Sequence, residues 1–358
     1  MKIGILTHHY ISNYGAFLQA WSLQKTVSDL FPEDEVFIIN YLNLKHFIIN
    51  AAGWFRFYRN RENLICWLDK IRLPFTFARA RKKNMLLTKV CYNAKQINDL
   101  NLDCIIVGSD EVWNFKDSKG NSALKFGKGI DCKNIIAYAP SVGQTDYFES
   151  LPEYVTEGIK KFSVISARDQ MTSEMVEAII GSKPTKVLDP TFLVDFPRAV
   201  SRIKKPYILF YYCEKLPQNI KSHIFDYAKN KGLDVFGAGE CDRKYSAITV
   251  NLDPFEWVEM FRNAEYVFTG TFHGVVFSII KRNPFNVYLT NQSRIKKVNS
   301  LLSDLEIYDR EIKEDYKFDL DKMKTEIDYQ NAFKIIAKKK NISMSFIKTA
   351  IKNQEWKV

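Results

Sequence analysis

Short apolar runs that end in small-residue turns, each followed by a stretch of helical apolar spacing, recur along this chain. They constrain its fold more than any single motif does. Lys2–Thr7 reads as a buried strand, His8–Gly15 as a loop, Ala16–Leu30 as a helix and Val36–Tyr41 as a second strand. Leu102–Asp110 is a strand running into a turn, and Ile135–Ala139 is another strand. Helix Val155–Phe162, strand Val164–Ala167, helix Thr172–Ile180 and strand Lys186–Leu188 continue the alternation. Asp195–Lys205, with Pro197, Lys204 and Lys205, interrupts it and reads as a linker. The pattern then restarts with strand Tyr207–Tyr212, helix Gln218–Lys231, strand Asp234–Phe236 and helix Pro254–Asn263. Strand Tyr266–Phe268, helix Val275–Lys281 and strand Phe285–Tyr288 complete it. Strands alternating with helices in this way need a crossover between parallel neighbours, so the expected class is α/β with doubly wound parallel sheets.

Three parts are expected. Residues 1–195 form an N-terminal domain with an aromatic-rich helical insertion at about 44–95. Residues 206–310 form a C-terminal domain, and 311–358 a basic helical tail for which packing back on the N-terminal domain is one option. The chain's 358 residues suffice for two cores, and 46% hydrophobic with 26% charged residues is the composition of a folded protein. Met1–His9 is too short and too polar for a signal peptide, and no segment reaches the apolar length of a membrane span. The six cysteines, at 66, 91, 104, 132, 213 and 241, show no CxxC pair and no metal-ligand spacing. They read as reduced structural thiols of a cytoplasmic protein, and no metal is expected.

The net charge of +11 is concentrated in two segments. Residues 54–83 hold nine Lys/Arg against two Asp/Glu, and 331–358 hold seven Lys against one Glu, so the rest is slightly acidic. Such segments either meet an anionic surface or are solvated helix faces. The seven aromatics of 54–83 suit either a membrane surface or helices packed onto the first domain. No nucleic-acid partner is expected.

Four turns after strands carry residues with chemistry. In Ser12-Asn13-Tyr14-Gly15-Ala16, free N–H groups at a helix start attract an anion and Gly15 permits close approach; alternatively Ser12 or Asn13 only caps the helix. Gly108-Ser109-Asp110-Glu111-Val112-Trp113-Asn114 offers two carboxylates for sugar hydroxyls and an indole face for a sugar ring; alternatively these are turn residues and Trp113 a core anchor. Arg168, in Ser166-Ala167-Arg168-Asp169, either forks onto a carboxylate or phosphate or pairs with Asp169 or another acid. Thr269-Gly270-Thr271-Phe272-His273-Gly274 is a backbone nest for an anion, with His273 at a helix start, where a neutral imidazole is favoured over imidazolium. His8 and His9, at the end of the first strand, are further candidates for the same cleft.

Taken together and in this order, the motifs resemble the polysaccharide pyruvyl transferase family. The matching pieces begin with Asn13–Ala20, Gly108–Asn114 and Tyr138-Ala139-Pro140-Ser141-Val142-Gly143. Ser166–Asp169, Leu188-Asp189-Pro190-Thr191, Thr271–Gly274 and Ser293-Arg294-Ile295 follow. The resemblance spans roughly residues 1–310. It implies two Rossmann-like domains in a glycosyltransferase-B-like arrangement with the active site between them. It also implies phosphoenolpyruvate as donor substrate without a further cofactor, and a sugar or lipid-linked glycan as acceptor. The product would be a pyruvate ketal, with phosphate released. Arg168 and His273 map to the family's essential arginine and histidine. Asn13, Tyr14, Gly15, Ser109, Asp110, Glu111, Trp113, Asn114, Thr271, Gly274 and Arg294 would bind substrates, with Lys297 as an additional donor. Phe272 stands where some members carry a basic residue, which leaves donor or acceptor detail open. A nucleotide-sugar glycosyltransferase, for which Gly237-Ala238-Gly239 is the hint, and a non-catalytic glycan-binding protein are the alternatives.

Overall fold

β1 (Lys2–Leu6) organises the first sheet: its last four residues are all buried, as expected of a parallel strand covered on both faces. The computed structural model describes residues 1–58, 62–143, 150–200, 203–312 and 327–352. Arg59 and Arg61 of the first basic segment and Lys357 of the second therefore lie outside the described residues, as do positions 313–326 of the tail. Strands β2 (Glu35–Ile38), β3 (Cys104–Val107), β4 (Asn134–Ala137), β5 (Val164–Ala167) and β6 (Thr185–Lys186) join β1. Their order is β2-β1-β3-β4-β5-β6, all parallel. The crossovers include helices α1 (Tyr14–Leu30), α2 (Leu44–Phe55), α3 (Leu64–Asn84), α4 (Ala94–Asn98), α5 (Glu153–Ile159) and α6 (Gln170–Ile180).

The second sheet runs β10-β9-β7-β8, again parallel throughout. Its elements are β7 (Tyr207–Tyr211), α7 (Gln218–Lys231), β8 (Asp234–Gly237), α8 (Pro254–Arg262), β9 (Tyr266–Thr269), α9 (Phe272–Lys281), β10 (Phe285–Val287) and α10 (Gln292–Asp304). A last helix, α11 (Tyr329–Ile351), follows.

Helices α1, α6 and α9 start two or three residues before the expected positions, and the cause is shared. Asn13, Asp169 and Thr271 are N-caps whose side-chain oxygens accept from the N–H groups of Ala16, Thr172 and Gly274. A capped polar first turn is helical without entering the apolar period that reveals the rest.

The chain divides into two compact units: 1–52, 78–195 and 336–358 in the first, 53–77 and 196–335 in the second. The stretch expected as one insertion at 44–95 is thus shared between them. Within the second unit, Cys66 is disulfide-bonded to Cys241 and Thr76 donates to Asn251 Oδ1 at 2.7 Å. The disulfide corrects the expectation of six reduced thiols. Its cysteines are 175 residues apart, and folding brings their Cα atoms to 6.5 Å, within bridging range. Cys91, Cys104, Cys132 and Cys213 are free thiols. The end of α11 packs in the first unit, where Phe346, Ile347 and Ile351 are buried. There Asn134 donates to the carbonyls of Ala350 and Ile351.

Candidate active site

In each sheet the first strand sends the chain to one side and the third strand brings it back on the other, leaving a switch point where loops diverge. In the first unit that point lies between the carboxyl ends of β1 and β3. Four of the polar groups there satisfy one another. Ser109 is fully buried and donates to Gln19 Oε1 at 2.7 Å, while its carbonyl accepts from Thr7 Oγ1 at 2.9 Å. Gln19 continues the network by donating from Nε2 to Thr7 Oγ1 at 3.0 Å and to the His8 carbonyl at 3.1 Å.

Arg168, at the end of β5, is the centre of a buried ion triad. It pairs with Asp110 at 3.3 Å after β3 and, by a shorter contact, with Asp189 after β6. Burial works against its charge, but Asp189 and then Asp110 outweigh burial and raise its pKa. Asp169 caps α6 and adds a weaker electrostatic pull on the same guanidinium. The five donors of a guanidinium lie in one rigid plane, so this pairing also fixes the plane of the fork.

Trp113 is a core anchor and not a sugar platform. Its ring is fully buried, stacks 5.9 Å from Phe126 and donates from Nε1 to the Lys125 carbonyl at 2.9 Å. Asn13 is a helix cap, Tyr14 and Gly15 are buried in α1, and Ser109 is buried in the network above. Asn13 is partly accessible, whereas Tyr14, Gly15 and Ser109 are enclosed. Glu111 and Asn114 remain partly accessible and converge on Gly143, where an added Cβ would stand 2.7 Å from Glu111 Oε2 and 2.5 Å from Asn114 Nδ2.

His8 and His9 are also buried. His9 Nε2 meets Asn40 Oδ1 at 3.1 Å, and burial lowers its pKa to about 4. His8 faces Lys125 Nζ at 3.2 Å, a lysine that sequence reasoning missed and that is itself fully buried. Burial, reinforced by Lys125, lowers His8 to about 3; burial lowers Lys125 to about 7 despite Asp117 and Asp110. Lys125 also donates to the Gly120 carbonyl at 3.0 Å, and Tyr10 meets His46 Nδ1 at 2.8 Å nearby in the same buried group. Nothing in the local sequence marks Lys125, because a lysine is read as a surface residue.

In the second unit the switch point lies between β7 and β9. Thr271 caps α9 by accepting from Gly274 N–H at 3.0 Å. Gly274 is needed for closeness: a Cβ there would stand 1.9 Å from Thr269 Oγ1. His273 therefore sits in the first turn of α9, its ring edge-on to Phe272 at 5.5 Å. Arg294, on α10, reaches the Gly270 carbonyl at 3.4 Å, and Lys297 on the same helix is buried. The turn thus gathers a histidine, a guanidinium and a helix N-terminus, which together suit an anionic ligand that exchanges protons. A separate cavity of about 790 Å³ in this unit, lined by Lys204, Lys205, Asp234, Glu256 and Glu259 among others, contains none of the expected site residues.

The polysaccharide pyruvyl transferase profile matches residues 13–292. The chain belongs to the polysaccharide pyruvyl transferase family. Of the expected site residues, His8, His9, Arg294 and Lys297 lie outside the matched stretch and the others inside it. No curated protein matches the chain in sequence. Among solved structures, a putative UDP-N-acetylglucosamine 2-epimerase from Listeria monocytogenes is similar at TM-score 0.53 and 11% identity, with 100% of this chain and 99% of that one covered. The glycotransferase of kitacinnamycin is similar at TM-score 0.51 and 8% identity, with 99% of each chain covered. At such identities the likeness concerns fold alone. The fold class of this pyruvyl transferase family member is α/β of the glycosyltransferase-B-like kind, with parallel sheets.

Proposed function

We propose that this protein transfers the pyruvyl group of phosphoenolpyruvate to a sugar of a surface polysaccharide or its lipid-linked precursor. The observation that carries the reading is the family match over 13–292, which includes a histidine in the capped first turn of α9. In this reading His273 delivers a proton to the methylene carbon of the donor, turning it into a methyl group and leaving C2 electron-poor. One sugar hydroxyl adds to C2 and gives up its proton. A second hydroxyl then attacks C2, the C–O bond to phosphate breaks, and inorganic phosphate departs with that hydroxyl's proton as the ketal closes. His273 alternates as acid and base in this sequence. Arg294 with the α9 N-terminus holds the donor's anionic groups and offsets the charge gathering on the departing phosphate, while Arg168, paired with Asp110 and Asp189, fixes the loops that carry those acids. A nucleotide-sugar glycosyltransferase of the same fold is the competing reading. Thermal shift separates them: stabilisation by phosphoenolpyruvate supports pyruvyl transfer, whereas stabilisation by UDP-sugars and none by phosphoenolpyruvate removes it.

The same proposal includes a peripheral membrane contact on the cytoplasmic side. Within 53–77, Phe55, Phe57, Tyr58, Leu64, Ile65 and Phe75 are exposed alongside Arg56 and Arg72. Eleven of the twenty-one exposed large apolar residues among those described fall in 44–75, a concentration that solvated helix faces do not need. Among the described residues no helix is long and apolar enough to cross a membrane, so the contact would be at a surface. Liposome flotation should favour anionic vesicles; equal recovery with neutral ones would exclude this contact.

A further inference from the structure

We propose that Tyr212 is a stacking platform for the pyranose ring of the acceptor, built at the β7–β9 switch point of the second unit; this rests on the pyruvyl-transfer reading and specifies its substrate contact. Tyr212 is the first residue after β7, and its φ of 59° lies in the left-handed region that side-chain-bearing residues rarely adopt. An outlier of this kind persists only where its surroundings hold it. Here the holder is Glu240: Oε2 accepts from the Tyr212 N–H at 2.6 Å, and Oε1 accepts from the Tyr245 hydroxyl at 2.6 Å.

The turn separates two neighbouring rings. Tyr211 goes inward, 5% exposed and 4.9 Å from Trp257, whereas Tyr212 goes outward, 51% exposed and edge-on to Tyr211 at 5.3 Å. The backbone around it is closely fitted, since a Cβ on Gly270 would stand 2.3 Å from the Tyr212 carbonyl. Arg294, which also reaches the Gly270 carbonyl, lies over the Tyr212 ring at 5.9 Å from its centroid. The chain thus leaves about half of this residue accessible, with its hydroxyl in a desolvated setting, beside the turn that leads into His273 and at a cost in backbone conformation.

The ligand class follows from the electrostatics of the ring. An aromatic face is negative, so it does not suit the phosphate and carboxylate of the donor. It does suit the C–H face of a sugar, and Arg294 is left to bind anionic groups beside it. Stacking of this kind is worth a modest factor in affinity, so acceptor KM should rise about three- to tenfold when the ring is removed.

The test compares Tyr212→Gly and Tyr212→Phe with the wild-type chain. Glycine adopts the left-handed turn without strain and keeps the N–H that Glu240 holds, so the Gly variant should fold as the wild type does. Saturation-transfer NMR with methyl glycosides of glucose, galactose and mannose reads binding directly. Transfer to a glycoside in the wild type and Tyr212→Phe, with apparent affinity about three- to tenfold weaker in Tyr212→Gly at unchanged Tm, is the expected result. Equal transfer in all three, no transfer in the wild type, or Tyr212-dependent transfer to uridine diphosphate alone would overturn the platform. The two readings fail separately. Tyr212-dependent glycoside binding without phosphate release from phosphoenolpyruvate leaves the platform and removes pyruvyl transfer. Ketal formation with an acceptor KM unchanged in Tyr212→Gly does the reverse.

Discussion

The two switch points occupy equivalent places in their sheets and use polar side chains in opposite ways. In the first unit, Thr7, Gln19 and Ser109 bond one another, Arg168 is enclosed by Asp110 and Asp189, and Lys125 is buried against His8. In the second, Tyr212 is half-exposed and the turn before α9 carries His273 beside a helix N-terminus, with Arg294 on the Gly270 carbonyl. A polar group whose partners are all within the protein fixes loop positions. One placed at a partly accessible turn can exchange partners with a ligand. In the proposed reaction the first unit would then serve chiefly to position loops and the second chiefly to meet the ligand.

Arg168 and His273 should respond to removal in different currencies. Arg168→Ala leaves Asp110 and Asp189 as close, buried like charges, and stability should fall by about 3–5 kcal/mol in denaturant unfolding. A loss below about 1 kcal/mol, as for a surface pair, would break the contrast. His273→Ala should leave the unfolding midpoint nearly unchanged while phosphate release falls by roughly 10²–10⁴-fold. A large loss of stability with a small loss of rate would place His273 on the structural side.

A smaller effect concerns Lys125. Its folded-state pKa, about 7, lies below its ordinary 10.5, so the unfolded chain holds the extra proton between those values. This group therefore destabilises the fold in full below about pH 7, and the penalty fades as pH rises across that window. Lys125→Met should remove this dependence, seen as a wild-type minus variant difference of up to a few kcal/mol between about pH 7 and pH 10. A flat difference curve would mean that the ammonium is not buried at a cost.

Much of this was legible in the sequence, for reasons that differ by residue. Val164–Ala167 and Gln218–Lys231 were read to their ends, because apolar period and flanking residues agree there. The starts of α1 and α9 were not, because Asn13 and Thr271 begin helices with polar turns. Trp113 was ambiguous, since an indole after a strand serves a core and a sugar equally well until its burial is known. The Cys66–Cys241 bond lies across too long a separation to leave a local signal, and the cytoplasmic expectation loses the support it drew from reduced cysteines. Tyr212 was read only as the end of a strand, because a left-handed tyrosine has no signature in composition or period.

The central claim is pyruvyl transfer itself, and the product tests it most directly. The full chain is incubated with phosphoenolpyruvate and a panel of glycosides, with phosphate and product mass followed together. The account predicts one phosphate released for each acceptor that gains the mass of pyruvate less water, and loss of both in His273→Ala. Phosphate release without that adduct, or no reaction while a nucleotide sugar is consumed, would contradict it.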